Sequence, residues 1–121
     1  MRLLCADDEP DIRTILEMAL GLDPRLEVEV FDSGEALIAR ARDGGADAVL
    51  LDAMMPGVDG YETCRRLKAD PATSPLPVVF LTARAQSGER DAALSAGAVA
   101  CLTKPFDPLT LADDLLAVLG R

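Results

Sequence analysis

Short apolar runs alternate with longer stretches of helical period five times along this chain. The first run, Leu3-Leu4-Cys5-Ala6, ends in Asp7-Asp8. A helix follows. Pro10 suits its first turn, acids nearby sit where the helix dipole favours them, and Ile12, Ile15, Leu16, Ala19 and Leu20 form one stripe. Gly21 and Pro24 stop it. From Leu26 to Phe31, valines alternate with Glu27 and Glu29, which predicts a strand with one wet face, most simply an edge strand. Asp32 and Ser33 cap a helix over 33–42 that Gly44-Gly45 closes.

The third run, Ala48-Val49-Leu50-Leu51, has no polar interruption before Asp52, as expected of a strand covered on both faces. A loop with Pro56, Gly57 and Gly60 leads into a helix over 59–69. Pro77 to Leu81 is the fourth run and ends at Thr82. A helix over 86–96 stops at Gly97, and the fifth run, 98–103, ends at Lys104-Pro105. Asp107 is expected to cap the last helix, with Pro108 at its first position and Leu111, Leu115, Leu116 and Leu119 on its inner stripe. Strands alternating with helices imply a parallel sheet covered on both faces. With the wet second strand at an edge, the order is 2-1-3-4-5, a doubly wound α/β fold whose direction reverses between strands one and three. No linker or repeat divides the chain, so residues 1–121 read as one domain.

Polar residues fall where such a sheet keeps its chemistry. Ligands bind at the carboxyl ends of the strands. Asp7 and Asp8, Asp52, Thr82 and Lys104 all follow strand runs. Crowded carboxylates raise one another's pKa unless positive charge neutralises them. Lys104 supplies one charge, and a hard divalent ion with oxygen ligands supplies the rest: magnesium, with manganese as a substitute. An aspartate beside a metal, a hydroxyl and an ammonium suits phosphoryl acceptance. Asp52, ending the central strand, is the expected nucleophile, and Asp7-Asp8 the expected metal holders.

Composition narrows this further. The chain has no histidine, which excludes Ser-His-Asp and Cys-His mechanisms and most zinc sites. The net charge of −9 disfavours nucleic acid and anionic lipid as partners. Three widely spaced cysteines, Cys5, Cys64 and Cys101, form no CxxC pair and read as small buried hydrophobes in a reducing compartment. The N-terminus does not read as a signal peptide, and no apolar run reaches the roughly 20 residues of a membrane span, so a cytoplasmic protein is expected.

Four segments carry a resemblance: DDEP at 7–10, LLDAMMPGVDGYE at 50–62, LTA at 81–83, and KPF at 104–106 after a Gly-Ala at 97–98. In this order and spacing they resemble the receiver domain of two-component response regulators, the CheY-like family with a flavodoxin-like fold. The resemblance implies Asp52 as phospho-acceptor, Asp7, Asp8 and the Met54 carbonyl as magnesium ligands, Thr82 as the switch hydroxyl, and Lys104 as the phosphoryl contact. It also implies a cis bond before Pro105. The implied partners are a sensor histidine kinase or a histidine phosphotransfer protein, and a downstream target or effector domain reached through the 82–106 surface. A monomer or a phosphorylation-dependent dimer fits. Met54 and Arg84 hold the positions that tune phosphate loss in such domains. One departure stands out: the aromatic expected three residues before the lysine is Cys101, and none of Phe31, Tyr61, Phe80 or Phe106 replaces it. The usual hydroxyl–aromatic coupling therefore lacks its aromatic here, and the output is expected to depend on loop and helix movement around 83–96.

Two other readings compete. A haloacid-dehalogenase-type phosphatase also uses Asp, Thr, Lys and magnesium. It needs its nucleophile after strand one and a second Asp two residues later, whereas Asp7 and Asp8 are adjacent. A phosphorylation-independent scaffold would have no need of the acid pair, Asp52 and Lys104. With no effector region after the last helix, either a stand-alone regulator or the receiver part of a longer protein fits.

Overall fold

The structure is a computed structural model and describes residues 1–83 and 87–120. Five strands, β1 (Arg2–Ala6), β2 (Glu27–Phe31), β3 (Ala48–Asp52), β4 (Val78–Thr82) and β5 (Ala100–Thr103), alternate with five helices. The helices are α1 (Pro10–Gly21), α2 (Gly34–Arg42), α3 (Gly60–Ala69), α4 (Ser87–Ser95) and α5 (Leu111–Val118). The strands form one parallel sheet in the order β2-β1-β3-β4-β5. The predicted reversal between β1 and β3 is therefore present. β2 is an edge strand, and its acids are partnered: Arg2 contacts Glu27 at 2.7 Å and Glu29 at 3.3 Å, and Arg40 contacts Glu29 at 3.1 Å.

Strand side chains alternate between faces, so the sheet has two cores. Leu4, Ala6, Val49, Leu51, Val78 and Phe80 pack with α2, α3 and α4 on one side. Leu3, Cys5, Ala48, Leu50, Val79 and Leu81 pack with α1 and α5 on the other. Every residue of β3 and β4 is buried, as their unbroken apolar runs require. With few aromatics, both cores are filled chiefly by Leu, Val and Ala.

Helix starts follow local capping chemistry. Ser33 Oγ accepts the Ala36 N–H at 3.2 Å, and Asp59 accepts the Glu62 N–H at 2.9 Å. The last helix departs from expectation. It begins at Leu111 rather than at Pro108, with Thr110 as its N-cap. Asp107 spends its carboxylate on the Leu109 N–H at 2.9 Å, and its carbonyl takes the Thr110 N–H at 3.1 Å. These bonds wind 107–110 into a separate turn. β5 begins at Ala100, two residues later than the apolar run, because Gly97 and Ala98 close α4 onto the carbonyls of Leu94 and Ala93. Residue 86, the expected first residue of α4, lies outside the described residues. Among the described residues no helix is long and apolar enough to cross a membrane.

Candidate functional site

Strand parity decides which polar residues meet. Asp7, Asp52 and Lys104 continue the alternation of Cys5, Leu50 and Leu102 and fall on the α1/α5 side of the sheet edge. Thr82 continues that of Phe80 and falls on the α3/α4 side. The structure brings the first three together. Lys104 Nζ lies 2.9 Å from Asp7 Oδ2 and 3.4 Å from Asp52 Oδ1. Asp7, Asp8 and Asp52 can each place a carboxylate oxygen within 4.8 Å of the others.

The backbone fixes this cluster. The Glu9 N–H donates to Asp7 Oδ1 at 2.9 Å, and Arg13 Nη1 donates to the Asp7 carbonyl at 3.0 Å. The Met54 N–H donates to Asp52 Oδ1 at 3.3 Å. The chain then turns back so that the Gly60 N–H donates to the Ala53 carbonyl at 3.2 Å. A Cβ on Gly60 would collide with the Asp52 carbonyl, so only glycine lets α3 begin against the Asp52 backbone. Of the loop methionines, Met55 is buried in the core and Met54 is 70% exposed. Lys104 is followed by a cis bond to Pro105, as the resemblance implied.

The electrostatics are those of a crowded acid site. Burial pushes the Asp52 carboxyl up to about 6, with the Asp7 charge adding to it against the pull of Lys104 and the Met54 N–H. For Lys104, burial alone would lower the ammonium's pKa, but its hydrogen bond to Asp7 and the Asp52 and Asp7 charges raise it overall. One oxygen does not fit a self-contained network. Asp8 Oδ1 is buried and has no hydrogen-bond partner among the described residues. An orphaned carboxylate oxygen beside two other carboxylates matches the all-oxygen donor set of a hard divalent cation.

Thr82 is 3% exposed and is turned elsewhere: its hydroxyl donates to Glu89 Oε2 of α4 at 2.6 Å. Sequence reading missed Glu89 and Arg13, since each is a single charged residue on a helix. The parity of Thr82 was the available signal for a partner on the α4 side. Cys101 is half-buried and packs against the core of the α3/α4 face, consistent with its reading as a small hydrophobe. Arg84 lies outside the described residues.

A doubly wound sheet carrying an acid cluster and a lysine at its switch point is the class of CheY-like, flavodoxin-like domains. The chain belongs to the response regulator receiver domain family, which it matches over residues 3–116. It is therefore a receiver domain of two-component signalling. It is 43% identical over 111 residues to the response regulator PleD of Caulobacter vibrioides, covering 91% of this chain and 24% of that protein. Its fold superposes on the chemotaxis protein CheY4 of Vibrio cholerae with a TM-score of 0.89 at 28% identity, covering 97% of each chain. The receiver domain of a Pseudomonas aeruginosa sensor histidine kinase, 30% identical, superposes with a TM-score of 0.86 over 99% of this chain and 98% of that one. Its crystal structure has a magnesium ion coordinated in the active site cleft. The chain spans about a quarter to a half of the length of the curated relatives it matches.

Proposed function

We propose that this chain accepts a phosphoryl group from a partner's phosphohistidine onto Asp52, in a magnesium-dependent reaction in the cytoplasm. The product changes what the 82–106 surface binds. The carrying observation is the grouping of three carboxylates within 4.8 Å, a lysine ammonium on two of them, and an Asp8 oxygen with no partner among the described residues. Asp7, Asp8, Asp52 and the Met54 carbonyl would hold the ion. When bound, it supplies positive charge against phosphoryl oxygens.

The protein's own groups do the rest. A carboxylate oxygen of Asp52 forms the bond to phosphorus while the donor's nitrogen–phosphorus bond breaks. That electron pair stays on the imidazole nitrogen, which takes a proton from solvent. The donor histidine is foreign, because this chain has none. With its pKa near 6, Asp52 is mostly carboxylate at neutral pH and can attack. Charge grows on the equatorial phosphoryl oxygens, and Lys104 meets one of them. The Thr82 hydroxyl serves another after rotating away from α4. A groove of 310 Å³ opens beside Lys104, lined by Ile12, Ile15, Phe106 and Pro108, and offers the donor protein an apolar seat.

Incubation with acetyl phosphate and magnesium tests the reading. Intact mass spectrometry should find one added phosphoryl group on the wild type, and none on Asp52→Asn or after chelation. Wild-type protein that stays unlabelled overturns it.

A further inference from the structure

The α4 side of the site holds a group that acceptance at Asp52 does not use. Thr82 is the last residue of β4, and its backbone is pinned on both sides. Its carbonyl accepts the Lys104 N–H at 2.7 Å, and the Leu81 carbonyl accepts the Ala53 N–H at 3.2 Å. With the backbone fixed, the direction of the hydroxyl is set by the torsion about Cα–Cβ. A threonine hydroxyl has one proton, and here it is given to Glu89 Oε2 at 2.6 Å, a charge-assisted length. Glu89 belongs to the first turn of α4. It reaches into a corner bounded by Tyr61 of α3 and Cys101 of β5. Burial raises both of their pKa values, and Glu89 adds to the rise in each, against Arg90 at Cys101. With a cysteine at 101, no aromatic from β5 fills this corner, and a polar reach from α4 meets the hydroxyl.

We propose that Glu89 is a positioning residue: it holds the Thr82 hydroxyl against α4, so that Thr82 can serve a phosphoryl group on Asp52 only by releasing the first turn of that helix. One proton has two competing acceptors on opposite sides of the sheet. Phosphoryl occupancy at Asp52 and attachment of α4 through Glu89 therefore oppose each other, and by linkage each weakens the other by the same factor. This makes Glu89 the point where the site acts on α4. It rests on the reading of Asp52 as the acceptor.

A double-mutant cycle tests it, with beryllium fluoride and magnesium as the phosphoryl mimic and calorimetry giving the half-saturation. Glu89→Ala should bind the mimic about five- to tenfold tighter than wild type, the scale of one charge-assisted hydrogen bond at a partly exposed site. Glu89→Gln, whose amide oxygen is a weaker acceptor, should fall between the two, and it carries the test if Glu89→Ala does not fold. In a Thr82→Ala background either Glu89 substitution should have no effect. Unchanged or weaker binding in the Glu89 variants overturns the proposal. So does an equal gain in the Thr82→Ala background, which would mean that Glu89 acts by charge or packing alone. Wild type that fails to bind the mimic at all would instead remove the acceptor reading, and this proposal with it.

Discussion

Asp52 is held at a cost to the fold. Its carboxyl has a pKa of about 6 in the native protein, against 3.8 for an ordinary aspartate. The native state thus binds more protons than the unfolded chain between those values, and stability falls as pH rises through that window. Above pH 6 the whole penalty is present, and below about pH 4 it is gone. In metal-free protein, Asp52→Asn should therefore stabilise by roughly 1–2 kcal/mol at pH 7.5, after discounting for nearby solvent. Thermal melts should show a gain of about 3–6 °C that shrinks toward zero as pH falls to 4. A gain that is independent of pH would mean the site is not a crowded acid cluster. Magnesium should relieve the same repulsion in wild type, by about 1.4 kcal/mol at ten times the dissociation constant. Asp8→Asn should lose most of that shift in melting temperature, since its buried Oδ1 has no hydrogen-bond partner among the described residues.

At the level of elements, much was legible because periodicity and punctuation agree with the fold. The unbroken runs of β3 and β4 read as buried strands and are buried throughout. The Glu-Val alternation of β2 read as an edge and lies there. The start of α5 was misread because Asp107 and Pro108 carry the signature of a helix start, while the Asp107 bonds close a turn first. Among the site residues, Asp7, Asp8, Asp52 and Lys104 were legible because each ends a strand run. The direction of Thr82 was not legible by that rule, since ending a strand does not say which face a side chain takes. Counting alternation from Phe80 would have put it on the α4 side. Glu89 has no sequence signal, because its role depends on where the first turn of α4 sits in space. Helix packing can be tested directly. Leu67 of α3 and Leu115 of α5 are fully buried in different cores. Each change to Ala should cost about 2–4 kcal/mol in denaturant titrations. The double variant should lose the sum within about 0.5 kcal/mol, because the sheet separates the two sites. A large non-additive term would mean that the faces communicate through packing.

Over the whole molecule, the surface is acidic, with a net charge of −9, yet the rim beside Lys104 is apolar. Ile15 lines that groove and is 37% exposed. Ile15→Glu should leave labelling by acetyl phosphate within about twofold, since a small donor needs no docking surface. It should slow transfer from a phosphorylated histidine kinase by roughly tenfold or more, the scale of losing one anchor side chain. Equal loss with both donors would place Ile15 in the chemistry rather than in docking.

The division of the interior into two cores has one more implication. In the proposed reading the donor seat draws on α1 and the turn before α5, while the Glu89 contact belongs to α4 on the other face of the sheet. The α1 residues of that groove, Ile12 and Ile15, lie outside the 82–106 surface, so they can change to suit a new donor without altering it. Retargeting experiments that exchange α1 surface residues should leave the output dialect intact.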